Sequence, residues 1–195
     1  MVSRSPQFHT NPRSLQTMAD KARIFLVSNL YPTENAPHFG IFVKNFETGL
    51  RHLGHQFPFA ALIRGNDGGL VVKLIRYILF YGRIIWRGVL GDYDLMYVHF
   101  ISHAAFPVLI AQWFRRKPLV VNAHGSDVLA TGIFQRQLGF MIRRLLKRAE
   151  LIVVPSGYFC EVVSERFKVP KDKIYVSPSG GINDSLFRPG RKAEA

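Results

Sequence analysis

The sequence contains a single cysteine, Cys160, so no disulfide can form within the chain, which fits a reducing compartment. No run of about 18 uninterrupted apolar residues occurs, which argues against a transmembrane helix. The first twenty residues are polar and contain proline, and they lack the apolar segment of a secretory signal. We therefore interpret residues 1–21 as a disordered lead-in, and we interpret residues 190–195 as a polar tail.

Acidic residues are scarce, since 13 Asp and Glu stand against 26 Lys and Arg and leave a formal net charge of +13. A surface of this charge attracts anions, and nucleic acid, anionic lipid and phosphorylated substrates are all candidates. No zinc-ligand spacing, helix-turn-helix signal or aromatic-rich β-face is visible, so we do not expect a nucleic-acid partner. The 195 residues, 48 % of them hydrophobic, suit one domain with its own core.

Short apolar segments alternate with segments of helical spacing along the chain. Strands are predicted at 22–30, 57–63, 92–100, 118–121, 151–155 and 174–176, and helices at 41–53, 68–90, 104–116, 134–150 and 157–167. The third helix is expected to be capped by Ser102. This alternation predicts an α/β fold with a Rossmann-like, doubly wound parallel sheet and right-handed crossovers.

The segment 118–128, PLVVNAHGSDV, places polar residues directly after a buried strand. In an open parallel sheet, ligands bind in the crevice at the carboxyl ends of the strands. One histidine, His124, one acid, Asp127, and the flexible Gly125 are thus gathered where a ligand could sit. The alternative is a plain strand-end turn, in which Asp127 caps the next helix.

The segment 68–90 is unusually hydrophobic for a helix that also carries a basic stripe. Its cations are Lys73, Arg76, Arg83 and Arg87. At about 100° per residue they fall within roughly 80° of one another, and nearly all other positions are apolar or aromatic. Such a helix is typical of a membrane interface, and we expect the four cations and Trp86 to contact an anionic membrane. The alternative is a core helix with one solvated face.

Two patterns that are often associated with metal ions are not expected to hold one here. The Asp92-Tyr93-Asp94 pattern matches a DxD motif that binds a metal and a nucleotide diphosphate in some enzymes, but it lies at the start of its strand and so at the wrong edge of a parallel sheet. His99 and His103 are four residues apart, but a strand ends between them, so they do not share a helical face.

The order of five segments resembles the N-terminal half of the retaining, GT4-type glycosyltransferases of the GT-B fold. These segments are YPTENAPHFGIFVKNFETGLRHLGH, DYDLMYVHF, PLVVNAHGSDV, LIVVPS and IYVSPSGGINDSLFRP. The first is similar to the GIFV-type opening of teichuronic-acid and related cell-surface polysaccharide transferases. The resemblance covers residues 22–189 and implies one acceptor-side domain over that range.

This resemblance implies a catalytic centre at His124, with Asp127 beside it, and a loop at Gly40 that passes close to the donor phosphates or the acceptor. The implied substrate contacts are Phe39, Gly40, Asn122, Gly125, Ser126 and Gly180. Such enzymes usually need no metal or other cofactor, and they use a nucleotide sugar as co-substrate. Their acceptors are lipid-linked or glycan molecules, so we expect a cytoplasmic chain at the inner face of the plasma membrane.

Two departures from the family pattern affect this interpretation. Asn183 stands near the place where family members usually have an aspartate. The second domain of the family, which binds the nucleotide sugar and carries an acidic E…E motif, is expected to be missing after Pro189. The donor would then need a partner chain or a missing domain, and the chain alone would be inactive. The alternative function is a non-catalytic, basic module that binds membranes or lipid phosphates.

Overall fold

The computed structural model describes residues 21–65, 67–129 and 133–178. The strands are β1 Arg23–Tyr31, β2 Gln56–Arg64, β3 Leu95–His99, β4 Leu119–Asn122, β5 Leu151–Val154 and β6 Ile174–Val176. The helices are α1 Ile41–His52, α2 Leu70–Leu90, α3 Ile101–Phe114, α4 Ser126–Leu129, α5 Ile133–Arg148 and α6 Gly157–Phe167. One 3₁₀ turn, Lys171–Lys173, precedes β6.

All six strands pair in parallel, in the order β2-β1-β3-β4-β5-β6. The chain therefore winds outward in both directions from β1, and with right-handed crossovers this places α1 on the opposite face of the sheet from the later helices. The predicted Rossmann-like, doubly wound sheet is confirmed, and its arrangement is consistent with the N-terminal half of a GT-B fold. Because the strands are parallel, their carboxyl ends meet at one edge of the sheet.

Alternate strand residues point to opposite faces and build two hydrophobic clusters. On one face, residues such as Val98 and Val121 pack with α2, α3, α5 and α6. On the other face, Leu26 and Tyr97 pack with Val43 and neighbouring apolar residues of α1. Burial on both faces explains why β1, β3 and β4 are almost continuously apolar in sequence.

The predicted elements are all present, with small shifts at their ends. The starts of β3 and α3 each shift by three residues, and α3 begins at Ile101, so Ser102 lies inside the helix and does not cap it. The short helix α4 has no counterpart among the predicted elements. The proposed lead-in, apart from Lys21, and the proposed tail lie outside the described residues.

Helix α2 lies against the sheet and α3 on a narrow stripe only. Its buried residues are Phe80, Ile84 and Gly88. A methyl group added at Gly88 would come within 2.6 Å of the Ala111 side chain, so this glycine allows α2 and α3 to approach closely. Among the helices that the structure describes, none combines the length and the apolar character needed to cross a bilayer.

Candidate functional site

A pair of histidines lies at the carboxyl edge of the sheet. His99 is the last residue of β3 and pairs in register with Asn122, the last residue of β4. His124 follows two residues later, and its Nε2 lies 3.0 Å from Nδ1 of His99. The two rings are inclined by only 22°. Parallel pairing of β3 with β4 therefore brings together two side chains that are 25 residues apart in sequence.

Aromatic rings enclose both histidines. Phe42 and Phe100 lie 4.5 and 4.8 Å from the His124 ring, measured between ring centroids. Phe46 lies 4.8 Å from the His99 ring. His99 is fully buried, whereas His124 is partly exposed. This burial lowers the pKa of His124 to about 4 and the pKa of His99 well below its ordinary value, so both rings are neutral at pH 7.

The carboxylate of Asp127 holds the backbone around the histidine pair. Its Oδ1 accepts a hydrogen bond from the backbone N–H of His124 at 3.0 Å, and its Oδ2 accepts one from Ile101 at 3.2 Å. Asp127 thus satisfies the first N–H group of α3, the helix that Ser102 was predicted to cap. Burial raises the pKa of the Asp127 carboxyl, and its backbone N–H donors oppose this shift. These two hydrogen bonds suit Asp127 to holding the loop that carries His124 in place.

Two of the other predicted contacts on this loop, Asn122 and Gly125, have structural roles of their own. The amide of Asn122 is buried and donates a hydrogen bond to the Tyr97 hydroxyl at 3.2 Å. Gly125 has a φ of +101°, and an added Cβ would meet the Phe159 ring at 2.7 Å, so this position requires glycine. Ser126 is the first residue of α4. Their binding of a ligand stays a prediction.

The loop before α1 lies directly against the end of β1. Gly40 has a φ of +71°, and a Cβ there would lie 2.5 Å from the carbonyl carbon of Leu30. Phe39 is partly buried, and its backbone N–H donates to the carbonyl of Ala36. This loop therefore reaches the same edge of the sheet as the histidines. Gly180, the remaining predicted contact, lies outside the described residues.

A cavity of about 610 Å³ opens beside this loop. It lies where β1 and β2 end and α1 begins. Its lining carries two cations, Lys44 and Arg64, and one acid, Glu34. The other lining residues are Pro32, Thr33, Asn35, Pro37 and Ile41. A concave site with two cationic side chains is suited to an anionic ligand.

The two patterns excluded as metal sites have other roles in the fold. Asp92 and Asp94 lie at the amino edge of the sheet, where Arg23 binds both. These contacts lower the pKa of both carboxyls. His103 packs on Tyr77, with ring centroids 5.4 Å apart. Over the ranges that the structure describes, no three or more His, Cys, Asp or Glu side chains are grouped to hold a metal ion.

The outward face of α2 is apolar. Its most exposed residues in the middle and at the end of the helix are Leu74, Ile75, Ile78, Leu79, Trp86 and Leu90, each with at least half of its surface exposed. Lys73, Arg83 and Arg87 are exposed, whereas Arg76 is partly buried and donates to the Asp67 carbonyl at 2.8 Å. The exposed surface of α2 therefore combines these three cations with apolar side chains, and its contact with a membrane stays a prediction.

His99 is the site residue that the sequence interpretation missed, because it was weighed only as a metal ligand together with His103. A usable signal was present. His99 ends one predicted strand and His124 follows the end of the next, and successive parallel strands in such a fold are usually neighbours. Applying that rule would have placed the two histidines side by side.

Comparison with protein families gives a match to the model described as Glycosyltransferase Family 4 over residues 40–181. The matched region begins at Gly40, includes both histidines of the site and ends at Gly181. A search among curated proteins gives no match.

Proposed function

Because the chain belongs to glycosyltransferase family 4, we propose that it is the acceptor-binding half of a retaining glycosyltransferase. In this proposal a sugar moves from a nucleotide-sugar donor to a lipid-linked or glycan acceptor in cell-surface polysaccharide biosynthesis. A further domain or a partner chain binds the donor. The observation that carries the proposal is the position of the partly exposed His124, which lies inside the matched region and at the edge of the sheet where ligands bind.

The neutral ring of His124 supplies the chemistry in this proposal. It can donate a hydrogen bond to a sugar hydroxyl, or stabilise charge that develops as the bond to the leaving group breaks. Asp127 is a poor nucleophile, since both of its carboxylate oxygens accept backbone N–H groups. We therefore propose that retention does not use the nucleophilic carboxylate of the retaining glycosidases. No metal or other cofactor is proposed for this step.

The cavity beside Gly40 is the proposed place for the acceptor. Lys44 and Arg64 give it the positive charge that a phosphate or pyrophosphate group of a lipid-linked acceptor needs. The guanidinium of Arg64 lies over the Tyr31 ring, 5.6 Å from its centroid. This contact restrains Arg64 before a ligand arrives, which reduces the conformational entropy lost on binding.

We also propose that α2 binds the surface of an anionic membrane at the inner face of the plasma membrane. An exposed apolar face of this extent is unusual for a protein surface in water and marks an interaction site. Counted at about 100° per residue, the cations of α2 form a margin between this apolar face and the buried stripe. A bilayer with anionic headgroups matches both features, because apolar side chains enter the interface while Lys and Arg side chains reach the phosphates.

The placement of α2 connects this membrane contact with the site. The helix begins shortly after the end of β2, at the same edge of the sheet as the histidine pair and the cavity. A lipid-linked acceptor anchored in the bilayer could thus extend its phosphate groups toward Lys44 and Arg64. This arrangement favours a lipid-linked acceptor over a soluble glycan.

The transfer reaction is tested with tagged chain recovered from native membranes together with its bound partners. The complex is incubated with radiolabelled nucleotide sugars, and the lipid and glycan fractions are counted. We expect label in the lipid fraction, and a donor-binding domain among the recovered proteins, either on the same polypeptide or on a partner chain. If the chain is recovered with membranes but no donor-binding domain and no transfer are found, the proposed transferase function is contradicted. The alternative, a non-catalytic module that binds lipid phosphates, then remains.

Membrane binding is tested separately with the purified chain and sedimented vesicles. We expect it to bind vesicles that contain phosphatidylglycerol and to bind phosphatidylcholine vesicles weakly. Changing Ile78 and Leu79 together to serine should abolish sedimentation, because both residues lie on the apolar face of α2. Leu53→Ser is the matched control, since Leu53 is 72 % exposed on the loop after α1. Equal loss in both variants would contradict a specific role for α2.

A further inference from the structure

The contact between His99 and His124 determines which nitrogen of His124 is free for a ligand. Nδ1 of His99 and Nε2 of His124 lie 3.0 Å apart, so one of them donates a hydrogen bond to the other. Nδ1 of His124 makes no hydrogen bond to any residue within the described ranges. Whichever partner donates, Nε2 of His124 is occupied and Nδ1 is the ring atom left to face a substrate.

The second nitrogen of His99 decides the direction of the hydrogen bond. Nε2 of His99 is buried and has no hydrogen-bond partner in the part of the chain that is described. A proton on this atom would leave a buried N–H group without an acceptor, which is rare in folded proteins. If the proton of His99 lies on Nδ1 instead, that N–H group has His124 as its acceptor. The unpartnered Nε2 of His99 then carries no hydrogen.

We propose that His99 donates from Nδ1 to Nε2 of His124 and thereby holds His124 in the tautomer that carries its proton on Nδ1. A neutral imidazole has one N–H group, so accepting at Nε2 leaves the proton of His124 on Nδ1. His99 does not touch the substrate in this scheme and is a positioning residue. Its ring is held in place by Phe46 and by Tyr97, whose ring centroid lies 4.9 Å from that of His99.

The consequence for the site is chemical. His124 presents an N–H donor to its ligand, so it binds an oxygen such as that of a sugar hydroxyl, and it does not act as a base toward that oxygen. This consequence rests on the proposed function, whereas the tautomer can be measured on the chain alone. The neutral state of both rings, which results from their burial, is compatible with this arrangement.

The test is a long-range ¹⁵N–¹H correlation spectrum of the ¹⁵N-labelled chain at pH 7, which reports the protonated nitrogen of each imidazole. We expect the proton on Nδ1 in both His99 and His124. His55 is an internal reference, because its Nδ1 accepts the backbone N–H of Ala22 at 3.2 Å and its proton must lie on Nε2 when the ring is neutral. A His124 ring protonated on Nε2 would overturn the proposal.

Two variants show whether His99 is the cause. His99→Phe keeps an aromatic ring in the enclosure and removes the donor, so we expect His124 to shift toward the tautomer protonated on Nε2. His99→Asn places an amide donor near the position of Nδ1, so we expect His124 to keep the wild-type tautomer. An unchanged His124 tautomer in a folded His99→Phe variant would overturn the proposal. If that variant does not fold, the wild-type spectrum and His99→Asn decide the question.

Failure of this proposal and failure of the proposed function give different results. If His124 has the expected tautomer but the membrane assay shows no sugar transfer, the tautomer proposal stands and the proposed transferase function is contradicted. If the complex transfers sugar while His124 is protonated on Nε2, the transferase function stands and the tautomer proposal is contradicted. In an active complex, His99→Phe should lower kcat about tenfold, the size expected for losing one oriented hydrogen bond, while His99→Asn should restore most of it.

Discussion

The carboxylate of Asp127 accepts the backbone N–H of Ile101 at 3.2 Å, and this contact joins the loop after β4 to the first turn of α3. The same carboxylate accepts the N–H of His124. One buried side chain therefore sets the position of two neighbouring strand ends, and with them the spacing of the histidine pair.

Replacement of Asp127 by alanine should therefore destabilise the domain. The buried N–H of Ile101 and the partly buried N–H of His124 would lose their acceptor, and we expect the free energy of unfolding to fall by about 3 kcal/mol. Urea denaturation of the variant and the wild type measures this difference. Asp172→Ala is the matched control, since Asp172 is exposed at the 3₁₀ turn and should change stability by less than about 0.5 kcal/mol. Equal effects of the two substitutions would contradict the role assigned to Asp127.

Stability should decrease on acidification because of the histidine pair. A histidine has a pKa of about 6.5 in the unfolded chain, and the pKa of His124 falls to about 4 on folding. The unfolded state therefore binds more protons between these values, and stability is lost as the pH falls below 6.5. From pH 7 to pH 5 this group alone should lower the free energy of unfolding by about 2 kcal/mol.

Urea denaturation at both pH values checks this expectation. The decrease should be about 2 kcal/mol smaller in His124→Asn than in the wild type. His52→Asn, a change at the exposed end of α1, should keep the wild-type decrease. The same decrease in wild type and His124→Asn would show that His124 is not buried as described.

Two glycines at α1 should respond to alanine in opposite ways. Gly40→Ala places a residue with a Cβ atom at a left-handed backbone conformation and brings that atom against the backbone of Leu30. The free energy of unfolding should fall by at least about 2 kcal/mol. Gly49 lies inside the helix with open space around it, so Gly49→Ala should raise the free energy of unfolding by about 0.5–1 kcal/mol. Thermal unfolding of both variants measures the difference. A neutral Gly40→Ala would mean that the loop does not lie against β1.

The cations on the margin of α2 should make vesicle binding depend on salt. Each Lys or Arg near an anionic surface contributes about 1 kcal/mol at physiological ionic strength. Arg83→Gln should therefore weaken sedimentation with phosphatidylglycerol vesicles about fivefold and reduce the sensitivity to added salt. Lys168→Gln, at the end of α6 and remote from α2 in the fold, should leave binding unchanged. Binding that is insensitive to salt in the wild type would contradict the electrostatic part of the membrane contact.

The sequence allowed the fold to be predicted because this sheet has strong local signals. Parallel strands that are buried on both faces read as short, continuous apolar runs, and β4 and β5 are of this kind. The placement of His124 at the carboxyl edge followed from the strand that precedes it. Helix α4, with only four residues, is too short to show a helical period.

What could not be predicted depends on contacts between distant segments. The cap of α3 comes from Asp127, 26 residues further along the chain, so the nearby Ser102 gave a wrong local signal. The apolar residues of α2 predicted an excess of apolar surface, but which of them face outward depends on where α3 and the sheet meet the helix. His99 was overlooked for the same reason, since its partner lies on a neighbouring strand.

The most direct test of the central claim is sugar transfer by complexes recovered from native membranes with wild-type chain, His124→Ala or the control His52→Ala. If His124 is the hydrogen-bond donor of the reaction, His124→Ala should lower transfer by about a hundredfold or more, while His52→Ala keeps wild-type transfer. Sedimentation with phosphatidylglycerol vesicles should be the same for all three chains. Undiminished transfer by His124→Ala would contradict the catalytic role assigned to this histidine.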